Sequence, residues 1–219
     1  MDKPTKLNFS DCTLLKLDKL FLLDEQFESP ILDAWLKETI TVTDFEQQTL
    51  NQLQQQLNIN VKHWNEAELL QNFIAPLFAL VDFSSNKQFS LFSERQFGGT
   101  VDGILLSGQP DGMIAQGFRE PEQPYFCTSY ASQEYKKELD PQGDPAGQAL
   151  AAMLVGQEMN EQEYPLYGCY VVGANWYFMI LHQRQYVISS AYVATKTDIV
   201  DILQALKRLK AMIMAMVLE

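Results

Sequence analysis

The sequence contains only three cysteines and two histidines in 219 residues. Cys12, Cys127 and Cys169 lie far apart and are odd in number, so they predict neither a disulfide framework nor a CxxC zinc site. We therefore expect a reducing, cytoplasmic compartment. Because His63 and His182 are the only histidines, the HExxH zinc motif and multi-histidine metal sites are excluded.

Long apolar runs are also missing. No stretch approaches the roughly 18 apolar residues of a membrane span, and the N-terminus, Met1-Asp2-Lys3-Pro4, lacks the apolar core of a secretory signal. We therefore expect no membrane association. The motifs GxGxxG, GxxxxGKS/T and GxSxG do not occur, which removes the best support for common nucleotide-binding and serine-hydrolase functions.

Basic residues are scarce relative to acidic ones. The chain has 28 Asp and Glu against 16 Lys and Arg, a formal net charge of −12. This excess argues against a protein that binds phosphate backbones without sequence specificity, although it does not exclude a local basic face. The 47% hydrophobic and 20% charged fractions are typical of globular proteins, and the length favours one domain.

Apolar residues at helical spacing predict four long helices. These open at the capping box Thr43-Asp44-Phe45-Glu46, near Asn65, at Asp144-Pro145 and near Thr197. The second helix should run to about Val81 and contains Pro76, which should kink it or mark its end. In residues 1–40, Ser29-Pro30 predicts a short capped helix, and the apolar run Leu20 to Leu23 is compatible with a strand.

Between the helices, short apolar runs separated by Gly turns predict strands. They fall after Gln88, within Tyr125 to Lys137, and at Leu166 to Val172, Trp176 to Leu181 and Tyr186 to Ile188. The order is helices, three strands, helix, three strands, helix. It predicts one mixed α/β domain over residues 41–219, with helices packed on a central sheet and residues 1–40 as an N-terminal extension.

Two segments carry a set of residues suited to phosphodiester chemistry. Pro110-Asp111 stands on or beside one strand, and Glu134-Tyr135-Lys136 stands on the next, where period two places Glu134 and Lys136 on one face. Two carboxylates can hold Mg²⁺ or Mn²⁺ through oxygen ligands. The metal would polarise a phosphate and acidify a bound water, while Lys136 would orient that water or stabilise developing negative charge.

Pro110-Asp111, 22 intervening residues and Glu134-Tyr135-Lys136 resemble the signature of the PD-(D/E)XK nuclease superfamily. The resemblance covers roughly residues 65 to 180, and the surrounding segments resemble a bacterial branch to which no specific substrate is attached. It implies a restriction-endonuclease-like fold. It also implies that Glu68 supplies the extra acidic ligand and that Gln148 is the glutamine of the following helix. The tyrosine expected four positions after that glutamine is replaced by Ala152.

Each of these residues also has a purely structural interpretation. Pro-Asp-Gly is a favoured turn sequence, so Asp111 is compatible with a turn role, and Asp102 is a rival acid on a neighbouring strand. Glu68 stands three residues after Asn65, at the capping-box position. Glu134 and Lys136 lie in a charge run, a pattern typical of a solvated surface, and Gln148 is one of many glutamines.

Two functions from different classes follow. The first is a Mg²⁺-dependent nuclease acting on nucleic acid, with DNA preferred, either alone, with a partner subunit or as a homodimer. Candidate basic surfaces are Lys136, Lys137, Arg95, Arg119 and Arg184 along one cleft, and Lys207, Arg208 and Lys210 on the last helix. The second is a catalytically silent binding or regulatory module on the same fold. Convergence of Glu68, Asp111, Glu134 and Lys136 on one accessible point would favour the enzyme.

Overall fold

The structure is a computed structural model and describes residues 6–84, 87–117, 119–131, 144–161 and 164–218. The helices are α1 Leu14–Phe21, α2 Pro30–Lys37, α3 Asp44–Asn60, α4 Glu66–Leu69, α5 Ala75–Val81, α6 Pro145–Met159 and α7 Ile199–Leu218. The strands are β1 Lys6–Asn8, β2 Asp24–Gln26, β3 Phe89–Phe92, β4 Phe97–Val101, β5 Ile104–Gly108, β6 Gly112–Gln116, β7 Pro124–Ala131, β8 Leu166–Val172, β9 Asn175–His182, β10 Gln185–Ile188 and β11 Tyr192–Val193.

An eight-stranded mixed sheet forms the centre of the molecule, in the order β2-β10-β9-β8-β7-β6-β3, with β11 beside β9. β3, β6 and β7 are antiparallel neighbours, β7 is parallel to β8 through the α6 connection, and β8, β9 and β10 are again antiparallel. Helices pack on both faces of this sheet. The predicted α/β class, a mixed sheet flanked by helices, is confirmed.

A second, three-stranded sheet has the order β1-β5-β4. The β4–β5 hairpin is inserted between β3 and β6, so five strands lie between α5 and α6 in the described residues, where the sequence predicted three. Period two and Gly turns mark strands but do not say which sheet each strand joins, because pairing partners lie far away in the sequence. β1 illustrates this point, since Lys6 pairs with Leu105.

The large sheet separates two cores. One face packs against α2, α3, α5 and α7, and the other packs against α1, α6 and the small sheet. α6 lies between the two sheets and is buried on nearly all sides, which is why its sequence is rich in Ala and Gly rather than showing one apolar stripe. Its Gly156 illustrates the tight fit, since a Cβ there would lie 2.9 Å from Cγ of Pro124.

The helix predicted from Asn65 is present but interrupted. Leu70–Ile74 forms a π-helical segment between α4 and α5, and Pro76 sits in the first turn of α5. Proline has no N–H and clashes with the preceding turn, so the backbone widens ahead of it. The predicted irregularity of the helix at Pro76 is therefore confirmed. It is a π-helical segment directly before α5, whose wider backbone makes room for the proline.

Residues 6–40, predicted as an extension, contribute β1, α1, β2 and α2. The apolar run Leu20 to Leu23 is not a strand, because α1 extends to Phe21 and Leu22 adopts a left-handed conformation with φ of 52°. Thr13 caps that helix by accepting a hydrogen bond from the backbone N of Lys16. The cap at Thr13 and the burial of Leu17 and Phe21 on one face stabilise a helix here, and they do so more than the apolar run favours a strand.

Candidate active site

Asp111 lies in a bend immediately before β6. β6 pairs with β7 through Gly112 opposite Thr128, and the same register continued by one residue places Asp111 opposite Ser129. Glycine is needed at position 112, since a Cβ there would lie 2.7 Å from Cγ2 of Thr128 and 3.0 Å from the hydroxyl of Tyr130. This close approach brings the Asp111 side chain against the end of β7.

The Asp111 carboxylate is half-buried and is held by two donors from β7. Its Oδ2 accepts a 2.6 Å hydrogen bond from the backbone N of Tyr130 and a 3.1 Å bond from Oγ of Ser129. Burial raises the pKa of Asp111 above its ordinary value; the two hydrogen bonds oppose this, and the negative charge of Glu94 adds to it. Both bonds end on one oxygen, so Oδ1 is the atom that would face a further ligand.

Glu94 is an acidic neighbour that the sequence analysis missed. β3 ends at Phe92, which pairs with Met113 of β6, and Glu94 follows two residues later. Glu94 is exposed and has a left-handed backbone with φ of 50°, so it does not continue the strand pairing. It lies near enough to Asp111 for its negative charge to raise the pKa of that carboxyl. Only the pairing of β3 with β6 reveals this proximity, because Glu94 lies in an irregular link between strands and belongs to no motif.

Glu134 and Lys136, together with Lys137, lie outside the described residues. Their predicted roles as metal ligand and water-orienting cation therefore stay predictions. The described part of β7 ends at Ala131, three positions before Glu134.

Gln148 lies in the first turn of α6 and is half-buried. α6 ends beside the first residues of β7 and β8, since Nδ2 of Asn160 donates to the Pro124 carbonyl at 2.6 Å and Gly156 approaches both Pro124 and Leu166. Its first turn consequently lies near the opposite ends of these strands. Gln148 and Asp111 therefore share one end of the large sheet.

Glu68 is exposed and belongs to a complete capping box at the start of α4. Its Oε2 accepts a 2.8 Å hydrogen bond from the backbone N of Asn65, while Oδ1 of Asn65 accepts a 2.9 Å bond from the backbone N of Glu68. The next residue, Leu69, packs into the core on the α5 side of the sheet, whereas Met113, which shares the Asp111 side of β6, packs on the α6 side. The structure therefore assigns Glu68 a capping contact and does not group it with Asp111.

Asp102, the rival acid, is engaged elsewhere. It occupies the β4–β5 turn with φ of 47° and pairs with Arg184 at 2.7 Å. The Arg184 guanidinium holds the pKa of Asp102 below its ordinary value through this contact. Arg184 also donates to the Phe21 carbonyl at 3.1 Å, so the pair ties the small sheet to α1 and to the β9–β10 turn.

The basic residues of α7 do not form a free cationic patch. Lys207 binds Glu46 at 2.7 Å, Arg208 pairs with Glu38, and Lys210 donates to the Val81 carbonyl at 3.0 Å. Two of the three cations are thus neutralised by acids from α3 and the α2–α3 link. Their contacts fasten α7 to its neighbours and leave little charge for a nucleic-acid backbone.

Among the described residues, no group of three or more His, Cys, Asp and Glu side chains is placed to hold a metal ion. The three cysteines are buried, and burial raises the pKa of each thiol to about 12, so none is a candidate nucleophile. Trp176 is fully buried and belongs to the core. None of the described helices is long and apolar enough to cross a membrane.

Comparison of the chain with models of known protein families gave no match, and comparison with curated proteins gave none either.

Proposed function

We propose that the chain is a Mg²⁺- or Mn²⁺-dependent nuclease of the PD-(D/E)XK type that hydrolyses phosphodiester bonds, with DNA as its expected substrate. The observation that carries the proposal is the placement of Asp111. It lies beside the end of β7, the strand that precedes Glu134 in the sequence, and at the end of the sheet where α6 begins with Gln148 in its first turn. The placement of Asp111 and Gln148 supports the proposal, while Glu134 and Lys136 lie outside the described residues.

The order of the elements supports the finer fold proposal, a restriction-endonuclease-like domain. α5 is followed by β3, β6 and β7, which are antiparallel neighbours, and then by α6 and the parallel strand β8. In the sequence, the signature acids come immediately before β6 and after β7, ahead of α6. This agrees with the helix, strand and helix order on which the resemblance rests.

In this proposal Asp111 and Glu134 hold the cation, and Glu94 or Glu68 completes the acidic set. Glu94 is the better candidate of the two on the described residues, because its charge acts on Asp111 while Glu68 caps α4. A bound divalent cation polarises the scissile phosphate and acidifies a water. Oδ1 of Asp111 would be its ligand atom, since the bonds from Tyr130 and Ser129 both end on Oδ2. Lys136 orients the attacking water, and Gln148 supports the phosphate or the lysine.

The hydrogen bonds on Asp111 also favour a second candidate, a catalytically silent binding or regulatory module on the same fold. A carboxylate that accepts bonds from Tyr130 and Ser129 already has a structural role. Lys207 and Arg208 are already paired with acids, and the chain carries a net charge of −12, so we expect its binding to nucleic acid to be weak. In this case the residues would keep the fold without catalysing a reaction.

Cleavage assays on single- and double-stranded DNA and on RNA, with Mg²⁺ or Mn²⁺, separate the two functions. Lys136→Met keeps the apolar stem and removes the charge, whereas Lys137→Met is a matched control for loss of positive charge. We expect wild type and Lys137→Met to cleave, and Lys136→Met to lose about 10²-fold or more in rate. Equal rates in the two variants would remove Lys136 from the mechanism, and absence of cleavage by wild type would favour the silent module.

Metal binding is tested separately by calorimetric titration with Mn²⁺. We expect Asp111→Asn to abolish the binding seen in wild type. Because the charge of Glu94 acts on Asp111 and Glu68 is in a capping box, we expect Glu94→Gln to weaken Mn²⁺ binding and Glu68→Gln to leave it unchanged. The reverse result would restore Glu68 as the ligand that the resemblance implies.

A further inference from the structure

The strand β2 forms one edge of the large sheet and pairs on its inner side with β10. The backbone N of Asp24 donates to the Arg184 carbonyl at 2.9 Å, so the N–H and C=O of Asp24 face inward. Successive residues of a strand alternate in direction, and those of Glu25 therefore point to the open edge. Within the part of the chain that the structure describes, the backbone N–H and C=O of Glu25 are thus available to a further strand.

Two large apolar side chains flank this edge. Phe27, which directly follows β2, is 97% exposed. Leu22, which lies two residues before the start of β2, is 82% exposed. Exposed aromatic side chains of this kind supply much of the energy of protein interfaces when they become buried. The edge therefore combines backbone donors and acceptors with an apolar anchor at each end.

A cavity of about 400 Å³ opens beside β2, under the chain that leads into α2. Ile31, Ile180 and Val187 contribute apolar surface, while Glu28 and His182 contribute polar atoms, and none of the lining residues is Lys or Arg. A long side chain with an apolar stem and a cationic head matches this lining. When a strand is added to a sheet edge, such pockets select the side chains of the added strand.

The charges near the edge are acidic. Asp24, Glu25 and Glu28 are exposed within five residues of one another, on a chain of net charge −12. A second copy of this chain would place the same acids against each other, which is unfavourable. A basic segment would instead find opposite charges along the edge.

We propose that β2, Phe27, Leu22 and the adjacent cavity dock an extended, basic segment of a partner protein. The segment adds a strand beside β2, hydrogen-bonds to Glu25, covers Phe27 and places one Lys or Arg side chain in the cavity near Glu28. This interaction does not depend on the nuclease function, since the edge lies at β10 and β2, away from β6 and β7.

Fluorescence anisotropy with the full chain tests the proposal. The probe is a labelled decapeptide of alternating Lys and Val; one control peptide has Glu in place of Lys, and another carries Pro at alternate positions and so cannot pair as a strand. We expect saturable binding of the first peptide alone, and protection of the Glu25 amide in hydrogen exchange when it binds. No saturation at about 1 mM peptide, or equal binding of the Pro peptide, would overturn the proposal.

Variants of the chain locate the site. Phe27→Ser should weaken binding of the Lys-Val peptide about tenfold or more, and Glu28→Gln should weaken it severalfold. Phe45→Ser is the matched control, because Phe45 is also exposed, at 69%, but lies on α3. Equal losses in Phe27→Ser and Phe45→Ser would contradict the site. A dimer in light scattering that becomes monomeric in Phe27→Ser would replace the basic partner with a second copy of the chain.

Discussion

The two hydrogen bonds that end on Asp111 make a quantitative prediction about stability. Asp111→Ala removes the acceptor of both donors, whereas Asp111→Asn retains an oxygen in the same place. Ser129 and Tyr130 are 4% and 6% exposed, so the donors released by alanine have little access to water. Each buried unsatisfied donor costs about 1–3 kcal/mol, although the Ser129 hydroxyl can rotate toward another acceptor.

We therefore expect Asp111→Ala to be less stable than Asp111→Asn by about 2–4 kcal/mol. In a protein of this size that difference corresponds to about 5–15 °C in Tm. Urea unfolding followed by circular dichroism gives the free energies directly, provided that both variants show the same m-value. Equal stability of the two variants would show that the contacts of Asp111 with β7 contribute nothing to the fold.

Burial of the Asp111 carboxylate, which outweighs its two hydrogen bonds, gives a pH dependence of stability whose sign follows from the raised pKa. The folded chain binds this proton more tightly than the unfolded chain. Its contribution is therefore fully present below the ordinary aspartate pKa of about 3.9 and is lost as the pH rises through the folded value. Asparagine does not ionise, so the stability of Asp111→Asn relative to wild type should grow with pH across this window and then level off. A difference that shrinks as pH rises would contradict the assigned direction.

Three further predictions concern parts of the molecule away from the site. Burial, the largest single influence, raises the pKa of Glu46, but the hydrogen bonds from Lys207 and Thr43 and the charge of Lys207 together outweigh it and lower the pKa. The resulting stability is lost as the pH falls through the folded value, and Lys207→Met should reduce that loss in acid titration of unfolding. The buried cysteines should react with a thiol reagent only as fast as the protein opens, so addition of denaturant, rather than a rise in pH, should accelerate labelling. The side-chain amide of Gln157 donates to the Gln183 carbonyl at 2.7 Å and accepts from the Gln183 N at 2.6 Å, so Gln157 fixes the β9–β10 turn. Gln157→Leu should therefore lower the free energy of unfolding by about 1–3 kcal/mol in urea titration.

Local patterns predicted the elements well where the controlling contacts are local. The capping box at Thr43 and Glu46 is complete in the structure, with the Thr43 N donating to Oε2 of Glu46 at 2.7 Å. Pro145 opens α6 as expected. In both cases the residues that determine the boundary lie within four positions of it, so the sequence contains all the information that is needed.

Contacts between distant segments explain most of what the sequence left open. Asp144 was expected to cap α6, but its side chain makes no cap there; its Oδ2 accepts a 2.9 Å hydrogen bond from the backbone N of Leu14, the first residue of α1. The proximity of Glu94 and Asp111 likewise follows from the register of β3 on β6. No spacing rule contains either fact, because each depends on how separate elements are packed.

The capping contact of Asp144 also bears on the candidate site. The segment 6–40 supplies α1, and α1 is fixed at its first turn by the residue that immediately precedes α6. Gly147 lets the two helix starts approach, since a Cβ there would lie 2.5 Å from the Cys12 carbonyl. Gln148 is therefore positioned in part by residues far outside the segment that resembles the nuclease signature.

The negative charges of Asp111 and its acidic surroundings lower the stability of the fold, and a bound cation would relieve this repulsion. The half-buried Asp111 carboxylate has a raised pKa, to which the negative charge of Glu94 contributes, in a chain that already carries net charge −12. Packing alone does not require this arrangement, because asparagine would accept the bonds from Tyr130 and Ser129 without the charge. Retaining the ionisable group at a cost in stability is typical of functional sites. If the site binds Mn²⁺, the cation should raise the Tm of wild type above its value in EDTA through linkage, and Asp111→Asn should show no such gain; an equal gain in Asp111→Asn would mean that the charge serves another purpose.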